Sequence, residues 1–138
     1  RPAAPVAPGP SGDPRTDYES AYNLVLSGDY AVAETSFRTF LASYPDDALS
    51  DDAQYWLGES LYQRGELRDA ADEFLTGYKR YPQSDKAPDM LLKLGLSLSG
   101  LGQRDAACAT FAQILKQYPQ ATNALVERVR TEQGRASC

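Results

Sequence analysis

The sequence predicts an all-α fold, a right-handed superhelix of three helix pairs followed by a C-terminal capping helix. Five landmarks recur three times with an unbroken period of 37 residues, and a fixed period of this size is typical of repeat arrays. In each repeat a glycine suited to ending one helix lies mid-way, and a proline that stops the next helix lies at the end. The landmarks are Ala21, Gly58 and Gly95; Gly28, Gly65 and Gly102; Ala33, Ala70 and Ala107; Phe37, Phe74 and Phe111; and the Tyr-Pro pairs at 44–45, 81–82 and 118–119.

The spacing inside the repeat resembles the tetratricopeptide (TPR) pattern. Leu57-Gly58 is followed by Ala70, by Phe74 four residues later, and by Pro82. The small residues let two helices approach closely, and each phenylalanine should stabilise the pair by roughly 1.5–3 kcal/mol when buried. The period is three residues longer than the usual 34. The tryptophan position of the pattern is held instead by Asp17, Gln54 and Leu91.

Residues 1–12 are predicted to be a linker. They are rich in proline and contain almost no large apolar side chain, so they cannot bury enough surface to fold. The alternative is a proline-rich peptide ligand, for which Pro2 and Pro5 give the spacing without a clear basic anchor. The repeats are then expected at 13–48, 49–85 and 86–120, with the capping helix and tail at 121–138.

Start and stop signals predict the helices in order. Asp13 caps the first and Pro14 begins it, Ser50 caps the third, and Ser84 caps the fifth, with Pro88 tolerated in its first turn. The second, fourth and sixth helices are expected at 30–43, 67–80 and 104–117. The first, third and fifth should end near residues 27, 64 and 100.

The seventh helix, expected at about 121–133, is interpreted as a cap. Leu125 and Val129, with Ala121 and Val126, give it one apolar face, and charged residues give it a polar one. A repeat array needs such a helix to cover its last exposed face.

Composition excludes several functions. The chain has no histidine, which removes the usual general base and the commonest metal ligand, and it has no glycine-rich phosphate loop, so we expect no enzyme and no cofactor. The aspartate pairs at 46–47 and 51–52 favour helix starts over a metal site. A net charge of −5 argues against nucleic acid as a partner. No apolar run is long enough to insert into a membrane.

The two cysteines leave two readings open. In one, Cys108 is a small buried residue and Cys138 a free tail thiol. In the other they form a disulfide, because a seventh helix antiparallel to the sixth returns the tail toward Cys108. The closed loop would hold about 30 residues and contribute on the order of 3 kcal/mol.

The concave side of a TPR array is lined by the first helix of each pair. The residues offset from the core there are large side chains with polar edges, which suits a surface for an amphipathic helix or extended segment. Some of these tyrosines could instead complete the packing between helices, and Trp56 is expected in the core. The predicted partner-binding residues are Tyr18, Tyr22, Tyr55, Glu59, Tyr62, Leu92 and Leu96.

Three stretches carry a closer resemblance. They are Tyr81 to Asp89, the segment LLKLGLSLSGLG at 91–102 and the segment DDAQYWLGESLYQRGE at 51–66. Over about residues 15–120 the chain resembles the C-terminal TPR domain of the YbgF family of Tol-Pal system proteins, also called cell division coordinators CpoB. Other bacterial envelope TPR lipoproteins, such as the outer-membrane assembly factor BamD, share the Tyr-Pro-x-Ser ending. A BamD-like module is therefore the alternative.

The YbgF resemblance implies a periplasmic scaffold with TolA as its partner. It further implies a link between outer-membrane constriction and septal peptidoglycan synthesis by a bifunctional penicillin-binding synthase. In that family a coiled coil before the linker makes the parent protein trimeric, so the segment from Arg1 is expected to be monomeric by itself. The resemblance also suggests that Lys-rich TolA helices would be drawn to carboxylates of the groove, Asp52, Glu59 and Asp89.

Overall fold

The computed structural model describes residue 7 and residues 9–138, and every regular element in that part of the chain is an α-helix. None of these helices combines the length and apolar character that crossing a membrane requires. The predicted linker lies largely outside the described residues. The helices are α1 (Pro14–Leu26), α2 (Tyr30–Ser43), α3 (Ser50–Gln63), α4 (Leu67–Arg80), α5 (Ala87–Gly100), α6 (Arg104–Gln117) and α7 (Asn123–Arg135).

Each helix pair closes over a phenylalanine, as predicted. A methyl group added at Gly58 would lie 2.6 Å from the ring of Phe74, and one added at Gly95 would lie 2.5 Å from Phe111. The glycines therefore set how closely the two helices of a pair approach. The phenylalanine rings and the alanines beside them are completely buried; these residues are Ala33, Phe37, Ala70, Phe74, Ala107 and Phe111.

The pairs stack in chain order. Every helix packs on the next, and α1, α3, α5 and α7 also contact one another in sequence. The first helices of the three pairs consequently lie side by side on one face of the array. The fold is of the all-α TPR type, and the right-handed superhelical sense stays a prediction.

The tyrosine of each Tyr-Pro pair joins its repeat to the one before. The hydroxyl of Tyr81 donates to the carbonyl of Pro45 at 3.5 Å, and that of Tyr118 donates to the carbonyl of Pro82 at 3.2 Å. The equivalent tyrosine of the first repeat, Tyr44, forms different bonds.

Tyr44 instead holds the segment before α1 against the first repeat. Its hydroxyl donates to the carboxylate of Asp17 at 2.6 Å and accepts from the amide of Gly12 at 3.0 Å. The amide of Ser11 reaches the same carboxylate at 3.0 Å. The bond from Tyr44 is the main reason that the pKa of Asp17 lies below its ordinary value. Ser11 and Gly12, assigned to the linker from sequence, are thus bonded to the first repeat.

The predicted serine caps are wrong in detail. Ser50 is the first residue of α3, and its hydroxyl donates to the carbonyl of Tyr44 at 2.5 Å instead of capping the helix. Ser84 lies three residues before α5, where its hydroxyl accepts from the amide of Lys86 at 3.0 Å and donates to the carboxylate of Asp51. Both serines stabilise the loop between repeats, because short hydroxyl side chains bond as readily to a turn as to a helix end.

The last helix begins two residues later than expected, because Thr122 caps α7 by accepting from the amide of Leu125 at 3.2 Å. Cys108 and Cys138 form a disulfide that closes 30 residues of chain. Arg104 strengthens the same corner, since its Nε donates to the carbonyl of Ala136 at 2.9 Å. Two contacts at the C-terminal end of α7 therefore hold the cap against the start of α6.

Candidate protein-binding face

The face formed by α1, α3 and α5 begins with two stacked tyrosines. The rings of Tyr18 and Tyr22 are 6.1 Å apart with planes 6° from parallel. Tyr18 also meets the rings of Phe37 and Phe40 edge-on, at 6.0 and 6.1 Å. Burial is the main reason that the pKa of Tyr18 rises to about 12. Tyr18 therefore supports this face from the core side.

Trp56 belongs to this face and was wrongly predicted to be a core residue. Its ring meets Tyr22 of α1 edge-on at 5.2 Å and Tyr55 at 5.0 Å, and it is only half-buried. The indole thereby bridges the first helices of two neighbouring repeats, α1 and α3.

At one position of the repeat, the side chain is more deeply buried in each successive repeat. Tyr18, Tyr55 and Leu92 are spaced by the 37-residue period. The ring centres of Tyr55 and Phe74 are 5.9 Å apart, and burial raises the pKa of Tyr55 well above the ordinary value. Leu92 is only 5% exposed. The prediction of Leu92 as a partner-binding residue is therefore wrong, because the third repeat uses this position to fill its own core.

The acidic centre of the predicted groove is already neutralised. Glu59 forms an ion pair with Lys93, with 2.9 Å between Oε1 and Nζ, and its other oxygen accepts from Gln63 at 2.9 Å. The side chains of Glu59 and Lys93 are 12% and 18% exposed. The same ammonium lies 5.0 Å from the ring centre of Tyr62. Glu59 is therefore not free to attract a cationic partner.

A second lysine covers the aromatic residues beside it. The ammonium of Lys86 lies 4.9 Å from the ring centre of Tyr55 and 5.6 Å from that of Trp56, within the range of cation–π attraction. Sequence reasoning missed both lysines. Lys93 stands one period after Trp56, so placing Trp56 correctly would have pointed to Lys93.

We define the first-helix face by Tyr22, Tyr55, Trp56, Tyr62 and Leu96, all half-buried. Tyrosine and tryptophan are the side chains that protein interfaces favour, because they bring large contact area together with a polar edge. Within residues 9–138 no group of histidine, cysteine, aspartate and glutamate is arranged to hold a metal ion. The face is therefore suited to binding a polypeptide.

Comparison with known proteins agrees with this geometry. Two models described as tetratricopeptide repeat match residues 18–85 and 89–121 and so cover most of the chain. The cell division coordinator CpoB of Pseudomonas putida is 34% identical over 67 residues, which are 49% of this chain and 25% of that protein. CpoB of Escherichia coli K12 is 37% identical over 59 residues, or 42% of this chain and 22% of that protein.

The matched segments thus span about a quarter of the length of these curated relatives. Over residues 18–85 and 89–121 the helix pairs, the close-approach glycines and the Tyr-Pro corners follow the tetratricopeptide pattern. The chain therefore belongs to the tetratricopeptide repeat family, and its repeats form a domain similar to that of the cell division coordinator CpoB.

Proposed function

We propose that this domain is a non-catalytic periplasmic scaffold of the Tol-Pal system that binds TolA through the first-helix face. In this role it coordinates outer-membrane constriction with septal peptidoglycan synthesis by a bifunctional penicillin-binding synthase. The observation that carries the proposal is the half-buried aromatic band across α1 and α3. The similarity to proteins named cell division coordinators supports it.

The charges of the face refine the expected mode of binding. Because Lys93 neutralises Glu59, a lysine-rich partner gains little from the centre of the face. The rings of Tyr22 and Trp56 supply the apolar contact, and burying such rings dominates interface energies. We therefore expect an amphipathic helix that lays its apolar side on the rings, with only a moderate effect of salt on affinity.

The experiment is a calorimetric titration of the domain with the purified helical region of TolA. Tyr62→Ala and Trp56→Ala each remove a half-buried ring of the face and should weaken binding at least about tenfold, as expected for aromatic anchors. Because Trp56 also bridges α1 and α3, the free energy of unfolding of each variant is measured beside its affinity. Leu75→Ala is the matched control, since Leu75 lies on α4 and is 36% exposed. The proposal fails if TolA does not bind, or if Leu75→Ala weakens binding as much as the two aromatic variants.

Tyr55 is not a suitable probe, although the sequence suggested it. Its contacts with Phe74 and Trp56 mean that Tyr55→Ala would loosen the second helix pair as well as the face. A second titration with the synthase, at saturating TolA, asks whether one domain holds both proteins together. Simultaneous binding supports the coordinating role, and mutually exclusive binding contradicts it.

A further inference from the structure

One pair of positions recurs at every junction between repeats and is filled differently each time. It joins the first turns of a second helix to the end of the next first helix, with 30 residues between the two partners. The first junction has an ion pair there, the second has two apolar residues, and the last has the disulfide. In chain order the pairs are Glu34 and Arg64, Ala71 and Leu101, and Cys108 and Cys138.

A neighbouring pair of positions shows the same change toward the end of the chain. At the second junction the side chain of Leu67 lies against Gly100, where an added methyl group would be 2.6 Å from it. One period later these positions are Arg104 and Ser137, and the guanidinium donates to the carbonyl of Ser137 and, at 2.9 Å, to that of Ala136. The side chain of Arg104 is 58% exposed, so water competes for these bonds.

The C-terminal half of α7 has little else that holds it to the array. Of the residues of α7, all within the described part of the chain, only Val129 and Glu132 are buried. Val129 lies at the middle of the helix, and beyond it Ala136 is half-buried. The carboxylate of Glu132 is bound by Arg128 at 2.8 Å and by Arg135 at 3.3 Å, and both arginines belong to α7 itself. These ion pairs therefore stabilise the helix and not its contact with α6.

We propose that the bond between Cys108 and Cys138 is a redox latch, whose reduction releases the C-terminal half of α7 from α6 while the three helix pairs stay folded. The helix pairs are held by the buried phenylalanines and close-approach glycines inside each repeat. The end of α7 has the disulfide and the exposed bonds from Arg104 in their place.

The latch opens by exchange with a dithiol. A thiolate of the dithiol attacks the Sγ atom of Cys138, because Cys138 is exposed and Cys108 is half-buried. Cys108 leaves as a thiolate, and the second thiol of the reductant then displaces Cys138. Two electrons and two protons pass to the two cysteines, and the dithiol becomes a disulfide.

Opening the latch changes the edge of the first-helix face. α7 packs against α5 as well as α6, and α5 is the last of the three helices that form that face. In the oxidised protein α7 borders the face, and in the reduced protein its C-terminal half leaves that border. The inference goes beyond the proposed function and holds whether or not TolA is the partner.

Amide hydrogen exchange followed by NMR, with and without dithiothreitol, tests the latch. The chain has only two cysteines, so the reductant acts on this bond alone. We expect the amides of residues 132–138 to exchange at least about tenfold faster after reduction, because a local opening exposes them without unfolding the rest. The amides of α1 to α4 should exchange at unchanged rates.

Two double variants serve as controls. Cys108→Ser with Cys138→Ser should show the fast exchange with and without dithiothreitol. Cys108→Ala with Cys138→Leu installs the apolar pair of the second junction and should restore slow exchange under both conditions. The proposal is overturned if reduction leaves the exchange of α7 unchanged, if it accelerates exchange in all seven helices alike, or if the serine variant still responds to dithiothreitol. Fast exchange in the alanine–leucine variant would contradict the equivalence of the junctions from which the latch is argued.

Discussion

The ammonium of Lys93 lies 2.9 Å from the carboxylate of Glu59 and joins α5 to α3. One repeat earlier the equivalent positions are Trp56 and Tyr22, whose rings meet edge-on at 5.2 Å. The same slot between adjacent first helices is thus filled by an aromatic pair at one junction and by an ion pair at the next. Both fillings connect neighbouring repeats on the face that we propose for binding.

Removing one partner of this ion pair should destabilise the fold. Lys93→Met leaves the carboxylate of Glu59 largely buried without a cation, so we expect a loss of about 3 kcal/mol in the free energy of unfolding. The double variant Glu59→Tyr with Lys93→Trp transplants the aromatic pair and should regain most of that loss. Urea denaturation of the three proteins measures both effects. Equal stability of Lys93→Met and the parent protein would show that the pair is not structural.

Substituting alanine for glycine should have opposite effects on stability at a crowded position and at an open one. Gly58→Ala forces a methyl group against the buried ring of Phe74 and should cost about 1–3 kcal/mol, as overpacked cores do. Gly134→Ala meets nothing within 4 Å and lies on α7, so it should stabilise by roughly 0.5–1 kcal/mol. Thermal unfolding distinguishes the two. A stabilising Gly58→Ala would mean that the helices of this pair can separate freely.

The disulfide should stabilise the domain through its 30-residue loop. Cys138→Ser is expected to lower the free energy of unfolding by about 3 kcal/mol, because the unfolded chain regains the freedom of that loop. Dithiothreitol should lower the stability of the parent protein by a similar amount and leave the variant unchanged. If the reductant affects both proteins alike, its effect does not come from this bond.

The stability contribution of Asp52 should depend on pH. Burial, followed by the charge of Asp51, raises the pKa of Asp52 above its ordinary 3.8, so the folded protein holds this proton more tightly than the unfolded chain does. The charged carboxylate therefore lowers stability above the folded pKa, and this penalty disappears below 3.8. Asp52→Asn should raise the melting temperature at pH 7 and leave it nearly unchanged at pH 3. A larger gain at pH 3 would contradict the direction of the shift.

The sequence predicted the helices and their close contacts well, because those features repeat. The start and end of α2, α4 and α6 follow from a glycine before each helix and a Tyr-Pro pair after it. The packing of Gly58 on Phe74 follows from the TPR spacing. Each of these relationships lies inside one repeat, and three copies of the pattern establish it.

The errors arose where repeats meet. Trp56 and Leu92 were misplaced because the burial of a first-helix residue depends on what the neighbouring repeat offers, and that partner differs at each junction. Lys86 and Lys93 were missed for the same reason, since their roles lie in contacts with another repeat. Ser84 was taken for a cap because a turn and a helix start use the same short polar side chains. Periodicity alone cannot resolve contacts that are not themselves periodic.

The most direct test of the central claim is the NMR footprint of the TolA helical region on this domain. If TolA binds the first-helix face, the largest amide shifts will fall on α1, α3 and α5, around Tyr22, Trp56 and Tyr62. Amides on the exposed sides of α2, α4 and α6 will move little. A footprint centred on α4 around Leu75, or spread evenly over the domain, would contradict the account.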